Sequence, residues 1–449
     1  MFSKKHQLKQ AVTDLVSFRE DDHFGYLITS IFGAEMHPSK KTEICIVGAG
    51  PAGSFAALFL AKYGIPCTLF DKAKFPRDKI CGDGISGWVL TIMNELDKNL
   101  LKRLAEQPFI LYSHGIRIVA PNHKYLDIPF TDNGQFEPGI PPGFTGRRLD
   151  FDQFLIDEVR TKDEIEFREN TEIVGFEKSD DKIILVSDSG EKTEARLVIF
   201  ANGSGSSFSK DPGGMVKTKK NTMTGIKAYY EGITGFHDQN YVELHFFKDL
   251  LPGYFWIFPL PGGIANVGVG LDQHRISKRK LNLKDVMLSA IENLPYLKER
   301  FSNARLISKI QAYHLPLWDK KRKLSGDHFM LVGDAASLVD PVTGEGVGHA
   351  AISGMYAAEQ ARRSIELKDF SASCLAQYDK SLYNRIGNEL YISSRIPRFI
   401  RFPWLFNMMV NKGLKSKTLQ GRLSQAMTDL DVRKRLKEPS LYLKVLLGK

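Results

Sequence analysis

Three glycines and one aspartate early in the chain have the spacing of a nucleotide site. Gly48, Gly50 and Gly53 follow the pattern Gly-x-Gly-x-x-Gly, and Asp71 lies further along the chain. In this pattern the first glycine makes a tight turn, the second lets the backbone approach a pyrophosphate, and the third lets a helix pack closely. The aspartate can then accept a ribose hydroxyl. The spacing predicts a dinucleotide site rather than a glycine turn that serves packing alone.

The elements around these residues support the same prediction. An apolar run at 44–47 predicts a strand, residues 54–63 a helix, and residues 67–70 a second strand that ends at Asp71. A helix N-terminus placed at the glycine turn offers free N–H groups and a positive dipole end to phosphates. At this end of the site we predict nucleotide contacts from Gly48, Gly50, Pro51, Ala52, Gly53, Asp71 and Lys72.

A second glycine loop lies far away in sequence. The buried-type strand at 329–332 ends in Gly333 and Asp334, and a small-residue helix at 350–363 follows. The loop that opens this helix is a second N–H-rich anion site. A flavin explains two such sites better than a nicotinamide does, because its reduced ring gathers negative charge that backbone N–H groups stabilise. The sequence therefore predicts FAD.

Length and composition predict a soluble, multi-domain protein. The chain has 449 residues, 43% of them apolar and 25% charged, so two or three packed units are expected. We find no apolar run of about 18 residues that could span a membrane, and the first residues lack the apolar block of a signal peptide. The four cysteines show neither disulfide nor metal spacing, and Cys45 and Cys67 are expected to be packed thiols. We predict a cytoplasmic protein without a metal site.

The net charge of +10 is concentrated at the C-terminal end. Residues 395–449 contain 13 Lys and Arg against 3 Asp and Glu, and the rest of the chain balances. Within 395–410, arginines alternate with large apolar and aromatic side chains, a pattern that suits an anionic membrane surface. A helical cap whose aromatic side chains pack on the body explains the pattern equally well. Nucleic acid is not expected as a partner, since no recognition motif accompanies the charge.

Five motifs in this order resemble the FAD enzymes of the p-hydroxybenzoate hydroxylase fold. They are the first glycine motif, Asp71, the loop at 79–84, Arg148-x-x-Phe-Asp, and the segment from Gly333-Asp334 to Gly346. Two features narrow the resemblance to the geranylgeranyl reductase family: the Pro-Arg-x-Lys-x-Cys-Gly-Asp run around Cys81, and the run at 252–259, which is similar to the motif Tyr-x-Trp-x-Phe-Pro. The resemblance covers roughly residues 43–360.

The resemblance implies an α/β fold: a Rossmann-like FAD-binding domain, an inserted mixed α+β substrate domain and a C-terminal helical region. We assign 1–40 to an N-terminal extension, 41–115, 146–215 and 316–365 to the FAD-binding domain, 116–145 and 216–315 to the substrate domain, and 366–449 to the basic helical region. It also implies that Arg148 holds FAD on its phosphate side and that Gly344–Gly346 meet the isoalloxazine edge. The further cofactor contacts implied are Lys79, Cys81, Gly82, Asp83, Gly333, Asp334, Pro341, Glu345 and Val347.

The aromatic run supplies the catalytic candidates. In a strand, Tyr254, Trp256 and Phe258 share one face, while Phe255 and Ile257 share the other. Plain core packing explains such alternation almost as well as a functional wall does. The functional interpretation is an aromatic surface that stabilises positive charge on a prenyl carbon and lines a greasy tunnel. We expect the same wall to extend to Tyr229, Tyr230, Phe246 and Phe247.

These features predict an FAD-dependent reductase that saturates C=C bonds of a polyprenyl lipid, quinone or pigment chain at a membrane surface. The catalytic candidates are Cys81, as a possible proton source, with Tyr254, Trp256 and Phe258. Where related hydroxylases carry Asp-Gly, this chain has Asn202-Gly203, which puts direct reduction by NAD(P)H in doubt and leaves the electron donor open. The alternatives are a flavin monooxygenase or halogenase and a non-catalytic flavin- and lipid-binding protein.

Overall fold

The structure is a computed structural model that describes residues 40–130, 140, 142–204 and 221–428. Predictions on the N-terminal extension up to residue 39, including a short helix at 11–18, and on residues 429–449 lie outside the described residues. The strands are β1 Lys40–Val47, β2 Cys67–Phe70, β3 Gly84–Ser86, β4 Leu111–Tyr112, β5 Gly115–Val119, β6 Tyr125–Pro129, β7 Gly143–Thr145, β8 Ile165–Arg168, β9 Ile173–Lys178, β10 Ile183–Ser187, β11 Lys192–Phe200, β12 Thr222–Glu231, β13 Val242–His245, β14 Tyr254–Leu260, β15 Ile264–Asp272, β16 Arg305–Leu306, β17 Gln311–Pro316, β18 Ser325–Gly326 and β19 Phe329–Leu331. The α-helices are α1 Pro51–Lys62, α2 Gly87–Leu96, α3 Lys98–Ala105, α4 Arg148–Arg160, α5 Gln273–Arg279, α6 Leu283–Asn293, α7 Pro295–Arg300, α8 Val347–Leu367, α9 Ala372–Ser393, α10 Pro397–Ile400, α11 Pro403–Lys415 and α12 Lys417–Thr428.

The first sheet holds the predicted nucleotide unit. Its main order is β18-β19-β11-β1-β2-β8, and β10 and β9 continue from β11. Strands β8, β2, β1, β11 and β19 run parallel, as expected for buried apolar runs joined by helical crossovers. Because carboxyl ends of parallel strands share one edge, the turns after β1, β2, β11 and β19 meet there. The two predicted glycine loops are thereby brought to the same edge.

Helices α1 and α8 cross closely against this sheet. A Cβ built on Gly354 of α8 would lie 2.4 Å from the carbonyl oxygen of Ala52 and 3.0 Å from the amide nitrogen of Ala56, so the crossing depends on a glycine. Helices α2 and α3 are separate, because Asp97 between them has an extended backbone and its side chain caps α3 by accepting the N–H of Asn99. Residues 192–200 form one continuous strand, β11.

The second sheet is mixed and has the order β16-β12-β15-β14-β13-β5-β6, with β17 also paired to β12. Strands β5 and β6 lie between β2 and β8 in sequence, but they pair within this second sheet and not within the first. One face packs on α6 and α7 around a core that includes Phe255, Ile257 and Val267. The opposite face looks toward the first sheet and the cavity described below.

A small third sheet connects the two larger ones. Its order is β3-β7-β4. The loop at 74–86 ends in regular structure, since Gly84–Ser86 pair with Gly143–Thr145 as β3 and β7. The pairing anchors the end of that loop beside the second sheet.

The described part of the C-terminal region is helical, as predicted. Helices α9, α10, α11 and α12 follow one another from residue 372 to residue 428. On α11, Phe406 and Val410 are buried and join a core with Leu126 of β6. No helix among the residues that the structure describes is both long and apolar enough to cross a membrane.

Candidate active site

A cavity of about 1110 Å³ lies between the two large sheets. This volume lies slightly above the range of about 300–1,000 Å³ usual for small-molecule sites. The turns at the edge of the first sheet line one end, and β12, β14 and α9 line the other. Of the predicted site residues, those lining the cavity are Gly48, Gly50, Pro51, Ala52, Asp71, Lys72, Lys79, Cys81, Gly82, Arg148, Tyr254, Trp256, Phe258, Asp334, Gly344, Glu345, Gly346 and Val347.

The first glycine turn has the geometry that a pyrophosphate requires. Gly48 has a φ of +105°, and a Cβ there would lie 2.6 Å from the carbonyl oxygen of Ala201, so no other residue fits. Gly50 faces the cavity, where a Cβ would meet only Arg77, at 3.6 Å. Gly50 is also the N-cap residue directly before α1, and no side chain caps that helix end among the described residues. Open backbone and an uncapped helix N-terminus meet at one point of the cavity wall.

Asp71 shapes this turn as well as lining the cavity. Its Oδ2 accepts the backbone N–H of Ala49 at 2.7 Å, and its Oδ1 accepts that of Ala73 at 2.8 Å. An ionised carboxylate has about four acceptor positions, so capacity for a ribose hydroxyl remains. The neighbouring Lys72 is mostly exposed and lies 3.4 Å from Glu172 in an ion pair.

Four predicted contacts do not line the cavity: Gly53, Asp83, Gly333 and Pro341. Gly53 serves packing, because a Cβ there would lie 1.8 Å from the carbonyl oxygen of Gly48. Gly333 has a φ of +59° and donates its N–H to Ser353 at 3.0 Å. Both glycines therefore support the cavity wall from behind.

Two basic side chains from the predicted set, Lys79 and Arg148, line the cavity. Arg148 is buried and pairs with Asp152 through two bonds, at 2.7 and 2.8 Å. Lys79 stacks on the ring of Tyr313 with its Nζ 3.1 Å from the ring centre. Burial lowers the pKa of Lys79 to about 8, although the charge of Asp334 opposes this shift.

The second glycine loop closes over the start of α8. Glu345 accepts the N–H of Gly348 at 2.5 Å and the hydroxyl of Ser86 at 3.0 Å. One N–H of this helix end is therefore already taken by a carboxylate of the chain, which the prediction of an open anion site did not foresee. Tyr254 reaches the same loop, donating its hydroxyl to the carbonyl oxygen of Thr343 at 2.6 Å.

The loop around Cys81 lies between the glycine loops and the aromatic strand. Burial raises the pKa of the Cys81 thiol, so the group is protonated at neutral pH. Gly82 lies against the aromatic rings, since a Cβ there would be 3.4 Å from Cε2 of Phe258 and 3.8 Å from Nε1 of Trp256. Asp83 is fully buried, with a φ of +66°, and turns away from the cavity toward β12 and β15.

The aromatic strand presents the predicted face to the cavity. Tyr254, Trp256 and Phe258 line it, whereas Phe255 and Ile257 belong to the core behind the sheet. The indole of Trp256 lies on a floor of glycines: a Cβ on Gly268 would be 2.2 Å from its Cζ2, and one on Gly225 would be 3.6 Å from its Cη2. Large side chains at these two positions would displace the ring.

The expected extension of the wall does not reach the cavity, which none of Tyr229, Tyr230, Phe246 and Phe247 lines. Tyr230 packs in the core behind the sheet, because alternation along a strand sends neighbouring residues to opposite faces, and Phe247, which follows β13, packs against the same core. Phe246 packs against Tyr254 with ring centres 5.8 Å apart. Tyr229 lies beneath the Cys81 loop and hydrogen-bonds to Asp83 at 2.7 Å.

Sequence reasoning missed three residues here. Asn266, Lys227 and Tyr313 come from β15, β12 and β17, and the latter two line the cavity. Lys227 is 1% exposed, and its Nζ lies 3.7 Å from the ring centre of Tyr229. A single charged or amide side chain inside an otherwise apolar strand was the available signal, because buried polar groups require partners.

The arrangement fits FAD. An open glycine turn at an uncapped helix end suits a pyrophosphate, and a cavity that continues to a second glycine loop suits a long dinucleotide. Lys79 and Arg148 supply positive charge between these two ends. Among the described residues, no group of three or more His, Cys, Asp or Glu side chains could hold a metal ion.

Comparison with protein families agrees with this geometry. Residues 41–230 match the FAD binding domain, and residues 222–312 match the geranylgeranyl reductase catalytic domain. The digeranylgeranylglycerophospholipid reductase of Thermoplasma volcanium is 29% identical over 351 residues, which are 76% of this chain and 83% of that protein. The menaquinone reductase of Mycobacterium tuberculosis is 27% identical over 380 residues, 82% of this chain and 86% of that protein.

Solved structures share the fold. A geranylgeranyl bacteriochlorophyll reductase-like protein of Thermoplasma acidophilum superposes with a TM-score of 0.74 at 24% identity, covering 89% of this chain and 99% of that one. The flavin-dependent brominase Bmp2 gives a TM-score of 0.71 at 19% identity, covering 90% of this chain and 100% of that one. At such identities the likeness establishes the fold alone.

Taken with the two-ended cavity, these matches define an FAD-dependent oxidoreductase with the fold of the flavin hydroxylases. The match to the geranylgeranyl reductase catalytic domain, residues 222–312, includes strands β12–β15 of the cavity-facing second sheet. The chain thus combines an FAD binding domain with a geranylgeranyl reductase catalytic domain, and its relatives include digeranylgeranylglycerophospholipid reductases. The resemblance, the α/β fold class and the expectation of FAD are thereby confirmed, while the domain boundaries and the roles of individual site residues stay predictions.

Proposed function

We propose that this protein saturates C=C bonds in the polyprenyl chain of a lipid, with geranylgeranyl chains of a phospholipid, quinone or pigment as the substrate class. The observation that carries the proposal is the aromatic face of β14, which lies in the cavity beside the Cys81 loop. Beyond it the cavity wall is mostly apolar. The side chains that continue it include Ile116, Val242, Leu244, Ile392 and Ile396.

The residues around the cavity suit reduction of an isolated double bond. When bound, reduced FAD supplies a hydride. Trp256 offers an indole face to the positive charge that develops on the tertiary carbon, and such contacts are worth about 0.5–2 kcal/mol. The protonated thiol of Cys81 is placed to hold the proton that the other carbon requires. Lys79, Arg148 and the first glycine turn bind the cofactor on its phosphate side.

The names of the relatives suggest two substrates to test first. One relative is a reductase of digeranylgeranylglycerophospholipid and another of menaquinone, and both names denote lipids with prenyl chains. The shared chemistry is an apolar isoprenoid tail attached to a larger head. An elongated cavity with aromatic walls accepts the tail in either case.

Contact with a membrane is the second part of the proposal. Phe399, Phe402 and Trp404, on and between α10 and α11, are 58%, 40% and 67% exposed. Arg398 and Arg401 are exposed in the same segment. We propose that this surface, the α10–α11 patch (residues 398–404), inserts its aromatic side chains at the headgroup level of an anionic bilayer. Ile396, two residues before the patch, lines the cavity, so a lipid tail has a short route inward.

The decisive experiment is lipid mass spectrometry with the purified, FAD-loaded protein. The flavin is reduced chemically, because Asn202 stands where related hydroxylases carry an aspartate and the natural donor is open. Incubated with geranylgeranyl phospholipid or with a prenyl quinone, the protein should add about two mass units per saturated bond. Unchanged lipids with both substrates, together with oxygen consumption and a hydroxylated or halogenated product, would instead establish the monooxygenase or halogenase alternative.

A further inference from the structure

A buried polar cluster joins the Cys81 loop to the aromatic strand. It consists of Asp83, Tyr229, Asn266 and Trp256, and we name it the Asn266 cluster. We propose that Asn266 is a positioning residue, which fixes the Trp256 indole in the cavity wall and ties it to the Cys81 loop through Asp83. This inference rests on the proposed function only in giving Trp256 a place beside the reacting carbon.

The side-chain amide of Asn266 accepts one hydrogen bond through its oxygen and donates two through its nitrogen. Nε1 of Trp256 donates to Oδ1 of Asn266 at 2.8 Å. Nδ2 of Asn266 donates to the carbonyl oxygen of Cys81 at 2.8 Å and to Oδ2 of Asp83 at 2.7 Å. An indole N–H can only donate, while a carbonyl and a carboxylate accept, so the amide has one possible orientation. No other side chain of this length offers one acceptor and two donors.

Asp83 is held from its other side as well. Its Oδ2 accepts a hydrogen bond from the hydroxyl of Tyr229 at 2.7 Å, and its Oδ1 accepts one from the backbone N–H of Arg148 at 3.2 Å. Burial raises the pKa of Asp83, while the charge of Lys227 and the bonds from Asn266 and Tyr229 oppose this shift. Lys227 is buried beside Tyr229, with its Nζ 3.7 Å from the ring centre, and burial lowers the pKa of this lysine.

The glycine floor completes the restraint on Trp256. Its ring lies over Gly268 and near Gly225, and its N–H edge is bound by Asn266. A planar side chain with one face against backbone and one edge hydrogen-bonded cannot rotate without losing both contacts. The indole and the Cys81 loop are thereby held in one fixed relation, as precise placement of reacting groups requires.

Exchanging the two cluster residues tests the proposal. Asn266→Asp keeps the acceptor for Trp256 and nearly the same shape but removes both donors and sets two carboxylates side by side. Asp83→Asn combined with Asn266→Asp restores a donor facing an acceptor and the original net charge. Asn240→Asp is the matched control, because the Asn240 amide donates to the carbonyl oxygen of Tyr112 at 3.1 Å, away from Trp256.

The first readout does not depend on reductase activity. Acrylamide quenching of Trp256 is obtained as the difference between each protein and its Trp256→Phe counterpart. Asn266→Asp should raise the quenching constant at least twofold, and the exchange variant should return it close to the wild-type value. Turnover should fall at least tenfold in Asn266→Asp, with the KM for lipid and the affinity for FAD within twofold of wild type, and should recover to within about threefold in the exchange variant.

Several results would overturn the proposal. Unchanged quenching in Asn266→Asp is one, and loss of turnover that the exchange does not recover in a folded protein is another. Should Asn266→Asp not fold, the exchange variant, which restores the donor–acceptor pair between positions 83 and 266, is expected to fold, and its failure to do so would also count against the cluster. If the wild-type protein reduces no prenyl lipid, the proposed function fails, but the quenching comparison still decides the role of Asn266.

Discussion

At the scale of single residues, Trp256 has the most demanding environment in the cavity. Its ring needs glycine at Gly268 and Gly225 and an amide at Asn266, three positions on two other strands. Such a costly arrangement is unnecessary for a side chain that only fills space. The structure therefore favours the functional interpretation of the aromatic strand over plain core packing.

Replacing Trp256 by alanine should abolish most turnover while FAD stays bound. A cation–π contact of about 2 kcal/mol corresponds to roughly a 30-fold loss in turnover. The measurement is saturated lipid per bound flavin, with flavin absorbance as the check on FAD content. Tyr125→Ala, which removes an exposed aromatic side chain from β6, should leave turnover unchanged. Equal turnover in Trp256→Ala and wild type would exclude the aromatic wall.

Lys79 should make FAD binding depend on pH. Its pKa is lowered to about 8 by burial, so the free protein loses this charge as the pH rises through 8. Below pH 8 the ammonium is present and attracts the phosphates, and at pH 9 binding should be up to about tenfold weaker than at pH 7. Titration of the apoprotein with FAD measures this.

Two variants separate Lys79 from its neighbours in that titration. Lys79→Met should bind FAD more weakly at pH 7 and show little further change up to pH 9. Lys124→Met is the control, since Lys124 is exposed and does not line the cavity, and it should keep the pH dependence of wild type. A fall in affinity that persists unchanged in Lys79→Met would assign it to another group.

At the scale of elements, the crossing of α1 and α8 determines where the nucleotide turn lies. The close approach at Gly354 presses α8 against the first turns of α1, which begins at Pro51. Because the N-terminus of α1 is the predicted phosphate site, a shift of this helix pair is felt directly in the cavity. Packing between helices and cofactor binding are coupled here.

Gly354→Ala should therefore weaken both stability and FAD affinity. The added Cβ would lie 2.4 Å from a backbone oxygen, and overpacking of this kind costs about 1–3 kcal/mol, more than the gain of up to about 1 kcal/mol in helix propensity. Gly421→Ala in α12, where nothing lies within 4 Å, should instead be neutral or stabilising. Urea unfolding of both variants gives the comparison, and equal stabilities would contradict the tight crossing.

At the scale of the whole molecule, the α10–α11 patch follows closely in sequence on residues that line the cavity. Helix α9 ends at Ser393, Ile396 lines the cavity, and the exposed aromatic side chains follow at once. Ile400 and Phe406 pack inward, as a helical cap requires, while Phe399 and Trp404 face outward, and contact of these two with a membrane stays a proposal. This division of one segment is typical of a surface helix that also contacts a bilayer.

We expect the full protein to bind vesicles of anionic lipids and not to bind vesicles of neutral lipids. Trp404→Ser should weaken binding about tenfold, because a large aromatic surface no longer enters the interface, and Arg398→Gln about fivefold. Tyr125→Ser, also an exposed aromatic position, should have no effect. Co-sedimentation at rising salt measures the electrostatic part, which should decline. Equal binding of Trp404→Ser and wild type would place membrane contact elsewhere.

Local sequence determined the nucleotide unit. The turn at Gly48, the close packing of Gly53 and the acid at Asp71 follow from residues near one another, where backbone geometry and hydrogen bonding leave few alternatives. The faces of β14 were equally predictable, because strand alternation is fixed by backbone geometry. The second glycine loop was predictable too. The sequence did not indicate that Glu345 accepts the N–H of Gly348 at the start of α8.

Only the tertiary structure decided which distant residues share a site. Asp83, Tyr229 and Asn266 come from three separate parts of the chain, and their meeting depends on how β12 and β15 pair and where the Cys81 loop rests. Sequence spacing carries no information about contacts of this kind, because each polar side chain is explained only by its partner. For the same reason the sequence did not predict Lys227 and Tyr313 as cavity residues, because their positions depend on how the two large sheets pack.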